Sequence, residues 1–229
     1  MINRHVINII RPGFFSANVR ADTRRLEFDS HNESIIAYGL PVEAVFIGDS
    51  ITEYWALDVF FNPSNRIVNR GIGGDTTTYI IKRFAADVLQ LKPKFAVIKA
   101  GINNTAPLDN YLEMNTEVFN AIYNEIYLDI EVMINMAREH GVEPVICSLL
   151  PTCNELSRSM SIRNQLVAQV NERLQQISLK NAARYVDYHS QVCKEDGLTL
   201  KSDLAYDGVH LNAYGYKILA DTLKKIVPL

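Results

Sequence analysis

Five short apolar runs, separated by segments with helical spacing, constrain this chain more than any other feature. The runs are Ala44–Gly48, Arg66–Asn69, Phe95–Ala100, Pro144–Leu149 and Arg184–Tyr188. Between them, Asp75–Leu91 carries Ile80, Ile81, Phe84, Ala85 and Val88, and Asn115–His140 carries Phe119, Ile122, Ile126, Ile130, Met133, Ile134 and Ala137. Ser157–Leu179 carries Ile162, Leu166, Val170, Leu174 and Ile177, and a last helix is expected from Asn212 to Ile226. Spacings of three and four give each segment one buried face. Gly141 follows His140 as a C-cap, and Asp75 with Thr76–Thr78 reads as a helix start. Strands alternating with helices require parallel pairing and right-handed crossovers. "AVFIG" and "FAVIKA" are apolar almost throughout, as parallel strands covered on both faces should be. The expected fold is therefore α/β, with a five-stranded parallel sheet. Residues 1–40 precede the first strand, and Val19–Ala37 is expected to form one amphipathic helix that packs on the domain through Leu26, Phe28 and Ile35 or Ile36.

A length of 229 residues suits one well-buried domain, 1–229, and is short for two. Lys plus Arg is 23 and Asp plus Glu is 26, a net charge of −3. That balance offers no basic stripe for nucleic acid and no polybasic segment for a membrane surface. The three cysteines, Cys147, Cys153 and Cys193, form no close CxxC pair. Neither a disulfide framework nor a cysteine-based zinc site is expected, and Cys147 reads as a small buried hydrophobe. The apolar piece near the N-terminus, Val6–Ile10, has five residues including Asn8, whereas a secretory core needs about 7–15 and a membrane span about 20. The expectation is a cytoplasmic protein without stable membrane insertion.

Ligands of an open parallel sheet bind at the carboxyl ends of its strands. After the first run comes "GDSIT", after the second "NRGIGGDTT", after the third "AGINNT" and, beyond the fifth, "DGVHLN". Ser50 alone would read as a helix cap, since serine is favoured there. As a nucleophile it needs a base, and the base needs an orienting carboxylate. His210 has Asp207 three residues before it, with Gly208 between to ease a tight turn. Acyl transfer also needs donors for the developing oxyanion. The glycines Gly73 and Gly74, the Asn103 amide and the Ser50 N–H are placed to supply them. Two rival readings compete with this one. The glycines of "GIGGDT" resemble a phosphate loop, but Thr76 stands where a third glycine is needed and the P-loop lysine is absent. His189, two residues after Asp187, is an alternative base or a structural hydrogen-bonding pair. Asp49 is expected to tie down its loop, and Tyr54, Trp55 and Phe60 to serve as core or rim.

Taken in order, "GDS", "GIGGDT", "GINN" and "DGVH" resemble the four blocks of the SGNH hydrolases, the GDSL lipase/acylhydrolase family, from Gly48 to His210. The resemblance implies a flavodoxin-like three-layer α/β/α sandwich and a serine esterase acting on small-molecule esters with neither metal nor cofactor. It implies Ser50, Asp207 and His210 as catalytic residues and Ser50, Gly74 and Asn103 as the oxyanion hole. The chain departs from the family twice: GDSI stands where the family name has leucine in fourth place, and Asn104 stands where Gly-x-Asn-Asp is usual. The loop "PTCNELSRS" after the fourth strand matches no substrate pattern.

Overall fold

The five apolar runs pair as one parallel sheet in the computed structural model, which describes residues 8–16, 18–111, 113–154 and 156–229. The strands are β1 (Ala44–Gly48), β2 (Ile67–Gly71), β3 (Phe95–Lys99), β4 (Glu143–Cys147) and β5 (Arg184–Val186). Their order is β2-β1-β3-β4-β5, the flavodoxin-like arrangement. Register is set so that Gly48 of β1 lies between Gly71 of β2 and Lys99 of β3. The carboxyl ends of three strands therefore stop on one line. Residues 1–7, the start of the expected N-terminal extension, lie outside the described residues.

Helices cover both faces. They are α1 (Arg25–Ala37), α2 (Ser50–Glu53), α3 (Leu57–Phe60), α4 (Thr77–Asp87), α5 (Thr116–Glu139), α6 (Met160–Lys180), α7 (His189–Val192) and α8 (Ala213–Lys224). Because strand side chains alternate, Val45 and Ile47 join one apolar cluster with Phe84, Ile126, Met133, Val170 and Leu174. Ala44 and Phe46 join the other with Ile51, Trp55, Val186, Leu219 and Leu223. The two clusters on either side of the sheet make three layers.

Element ends differ from the sequence reading where polar groups intervene. The second strand runs to Gly71, and the fourth and fifth stop at Cys147 and Val186. The helix expected over 75–91 ends at Asp87; Val88 leaves helical geometry at φ −122°, ψ −64°, and Leu89–Leu91 form a separate 3-10 turn. The single helix expected over 19–37 is two pieces, a 3-10 turn at Arg20–Asp22 and then α1. Asp22 folds that turn back on itself, its carboxylate accepting the Phe15 and Ser16 amides. Leu26 is 73% exposed, contrary to expectation. The buried face of α1 is Arg25, Phe28, Asp29, Asn32 and Ile35, so a largely polar stripe faces inward.

That polar stripe meets a buried ion network. Arg83 of α4 donates from Nε to Asp75 Oδ2 at 2.8 Å and from Nη1 to Asp87 Oδ2 at 2.9 Å. Its remaining donors reach the Arg70 carbonyl at 2.9 Å and the Gly48 carbonyl at 3.2 Å. Asp87 also accepts from Arg25 at 2.6 Å, and Arg25 meets Asp29 at 2.8 Å. Arg70 is buried beside them, bonded to Asn32 at 2.6 Å, and burial with the neighbouring guanidiniums lowers its pKa to about 10. The Phe28 ring lies 4.6 Å from the Arg70 guanidinium and 4.8 Å from that of Arg24. Among the described residues no helix is long and apolar enough to cross a membrane.

Removing one partner of a buried pair strands the other's charge. Arg83→Met is expected to cost about 3–5 kcal/mol of unfolding free energy, measured as a lower urea midpoint at unchanged m-value. Lys217→Ala breaks the exposed Lys217–Asp221 pair and is expected to cost less than about 1 kcal/mol in the same assay.

Candidate active site

Ser50 stands where β1 turns into α2, and Asp49 controls that turn. Its Oδ1 accepts the Ile51 amide at 2.9 Å, so the cap of α2 is Asp49 and the Ser50 hydroxyl is left out of the helix. Asp49 Oδ2 faces the Lys99 ammonium at 3.7 Å, both side chains being buried. The short helix lies directly on the end of β2. A Cβ on Gly71 would fall 2.1 Å from the Glu53 amide nitrogen, so only glycine permits that approach.

The Ser50 hydroxyl lies 2.8 Å from His210 Nε2, across a sequence separation of 160. His210 Nδ1 lies 2.6 Å from Asp207 Oδ2. A carboxylate only accepts, so Nδ1 carries the proton and Nε2 is left to accept from the Ser50 hydroxyl. The turn that holds the pair is fixed from several sides. Asp207 Oδ1 accepts the Val209 and His210 amides at 3.0 and 2.8 Å. Gly208 is at φ +83°, and a Cβ there would fall 2.8 Å from the Asn154 amide nitrogen. Its carbonyl accepts the Cys153 amide at 2.8 Å. Burial pushes the Asp207 carboxyl upward, but the amide bonds and the imidazole outweigh it and hold its pKa below the ordinary value. The carboxylate thus stays ionised under mildly acidic conditions. Asn212 caps α8 just beyond, and Tyr216 of α8 donates to the Ile51 carbonyl at 2.9 Å, tying the histidine's element to the serine's.

The glycine loop borders the same point. A Cβ on Gly73 would lie 3.7 Å from that of Ser50. The Gly73 amide donates to Glu53 Oε2, while the Gly74 and Ser50 amides have no partner among the described residues. Asn103 gives one amide hydrogen to the Asp75 carbonyl at 2.9 Å, leaving its second. Glu53 was not singled out from the sequence. Its role comes from a contact twenty residues away, and no local pattern announces it.

The structure gives Asn104 a task. Its Oδ1 accepts the Thr77 amide at 3.2 Å and its Nδ2 donates to Thr77 Oγ1 at 2.8 Å. Thr77 spends its one hydroxyl hydrogen on Asp129 Oδ2 at 2.6 Å. Position 104 must therefore donate, which an aspartate cannot do. His189, the rival base, is elsewhere: β5 ends before it, its amide donates to Ser148 Oγ at 2.8 Å, and its Nδ1 lies 3.3 Å from Cys193 Sγ. Asp187 instead accepts the Ser190 amide. Trp55 is core, packed on Tyr216 at a ring distance of 5.5 Å, and Tyr54 is exposed beside His210 at 5.3 Å. Among the described residues no group of three or more His, Cys, Asp and Glu is arranged to hold a metal ion.

Asn104→Asp is expected to destabilise the fold by about 1–3 kcal/mol, the cost of facing a buried acceptor with another. Thermal unfolding measures it, and Thr77→Val in the same background is expected to recover part of the loss.

Residues 46–218 match the model of the GDSL-like lipase/acylhydrolase family. The chain is 27% identical over 194 residues to human platelet-activating factor acetylhydrolase IB subunit alpha2, covering 81% of this chain and 76% of that protein. It is 35% identical over 85 residues to the Bacillus subtilis lipoprotein YqeF, a match that spans 37% of this chain and only 32% of the lipoprotein. The structure of a GDSL-like lipase from Bacteroides thetaiotaomicron superposes with a TM-score of 0.73 at 26% identity, covering 87% of this chain and 95% of that one. An acetylxylan esterase from Geobacillus stearothermophilus shares the fold with a TM-score of 0.64 at 20% identity, covering 80% of this chain and 93% of that one. With the family model spanning most of the sequence and the sheet order to match, this chain belongs to the GDSL-like lipase/acylhydrolase family.

Proposed function

We propose that the chain is a serine esterase that cleaves carboxylic esters through an acyl-enzyme. The observation that carries this reading is the continuous line from the Ser50 hydroxyl to His210 Nε2 at 2.8 Å and from His210 Nδ1 to Asp207 at 2.6 Å. Ser50 Oγ attacks the carbonyl carbon while its proton passes to Nε2. The carbonyl oxygen becomes an oxyanion facing the Ser50 and Gly74 amides and the free hydrogen of the Asn103 amide. The bond to the alcohol oxygen then breaks, and Nε2 returns the proton to that oxygen. Water, deprotonated by the same nitrogen, attacks the acyl carbon, releasing the acid and restoring the Ser50 hydroxyl. Asp207 holds the imidazole in the required tautomer and balances its charge during both proton transfers.

Small soluble esters with short acyl groups, acetylated carbohydrate and thioesters among them, are the proposed substrates. Two relatives support the short acyl group by name, a platelet-activating factor acetylhydrolase subunit and an acetylxylan esterase.

Hydrolysis of p-nitrophenyl acetate tests the reading. Ser50→Ala is expected to lower kcat by at least about 10³-fold, and a fluorophosphonate probe is expected to label wild type at Ser50 only. Equal rates in both proteins, or an unlabelled Ser50, would mark a non-catalytic binding domain on the same fold. Asn103→Ala is expected to lower kcat by about 10²–10³-fold with a smaller change in KM.

A further inference from the structure

Two cavities flank the turn that carries His210: His210 lines one and its neighbour Val209 lines the other. One, of about 420 Å³, is walled by Tyr54, Val59, Phe60, Tyr206, Tyr216 and the His210 ring itself. No Asp, Glu, Lys or Arg lines it. The other, of about 650 Å³, begins at Asn103 and runs past Thr105, Asp109, Asn154, Arg158 and Arg163. Its polar groups are bonded to one another. Arg163 donates to Asp109 at 2.7 Å, to Thr105 at 2.9 Å and to Ser157 at 3.1 Å, which pins the loop after β4 to the segment after β3.

Proton transfer decides which half of an ester each cavity takes. The alcohol oxygen must lie within hydrogen-bond reach of His210 Nε2 when its bond to carbon breaks, because that nitrogen supplies its proton. The carbonyl oxygen must face the Asn103 side. The alcohol then extends along the wall that His210 shares, and the acyl group extends away from it, past Asn103.

Resting on the esterase reading above, we infer that the aromatic-walled cavity beside His210 receives the alcohol half of the substrate, an alcohol with a flat apolar or aromatic face, and that the mixed cavity beyond Asn103 receives the acyl half. Tyr54 and Tyr206, both in this lining, are 59% and 79% exposed, so a ring entering the cavity has aromatic surface to cover. The cavity beyond Asn103 mixes Ile102, Ala106, Leu156 and Val209 with its charged and amide groups and has no aromatic ring in its lining, so it offers no stacking partner.

Benzyl acetate and methyl phenylacetate are isomers that separate the two halves. Each carries one benzyl group and one methyl group, with the benzyl on the alcohol side in the first and on the acyl side in the second. Wild-type kcat/KM, normalised to the hydroxide-catalysed rate of each ester, is expected to favour benzyl acetate by at least about tenfold. In Tyr206→Ala, and separately in Phe60→Ala, that ratio is expected to fall toward one, with fluorophosphonate labelling of Ser50 confirming that each variant has assembled its site. A wild-type ratio near one, or one favouring methyl phenylacetate, overturns the assignment while leaving the esterase reading intact. So does a ratio that both variants leave unchanged. If neither isomer nor p-nitrophenyl acetate is hydrolysed, the esterase reading fails and the assignment falls with it.

Discussion

Four separate parts of the site meet at one buried guanidinium. Arg83 bonds the carbonyl that ends β1, the Arg70 carbonyl one residue before the end of β2, the aspartate that follows the glycine loop, and Asp87 on its own helix. Asp75, held by that guanidinium, offers its carbonyl to the Asn103 amide. Strand ends, glycine loop and amide donor are thus set by a single planar group, whose fixed fork of donors suits it to the task. A lysine at this place would carry the charge without the geometry. Buried ion pairs do not as a rule add stability over apolar packing, but breaking one is costly. The arrangement is best understood as fixing position more than as holding the fold together.

A second buried pair lies beneath Ser50. Asp49 divides its oxygens, one capping α2 and the other facing Lys99. At 3.7 Å the lysine contact is an ion pair and not a hydrogen bond. It keeps a charged aspartate tolerable in an interior where Phe46, Ile51 and Trp55 pack on the neighbouring strand face. The serine can then leave capping to its neighbour and keep its hydroxyl for His210.

The sheet was legible because β1, β3 and β4 are nearly pure apolar runs, and α5 because Ile122, Ile126, Ile130 and Met133 repeat at helical spacing. The four polar blocks were legible because each follows a strand. The rest depends on contacts through space. Arg25 and Asp87 are 62 residues apart, and a helix that buries Arg25 and Asn32 defeats a search for apolar faces, which is why Leu26 was misplaced. Likewise "GINN" showed a departure at Asn104, but its reason lies in the hydroxyl hydrogen of Thr77, already given to Asp129. "GDSIT" by itself leaves open whether Ser50 also caps the helix; that Asp49 takes the role depends on a side-chain rotamer, which periodicity does not encode.

The Asp207–His210 pair closes within a four-residue turn, whereas the contact between His210 and Ser50 spans 160 positions. Local turns form early in folding and long-range contacts late, since the entropy of closing the intervening chain must first be met. Asp207 and His210 need only that turn and the loop at Cys153 and Asn154 beside it, whereas Ser50 reaches His210 only through the sheet that separates them in sequence. A chain with its sheet distorted at the end of β1 would therefore keep the contact between Asp207 and His210 and lose the one to Ser50.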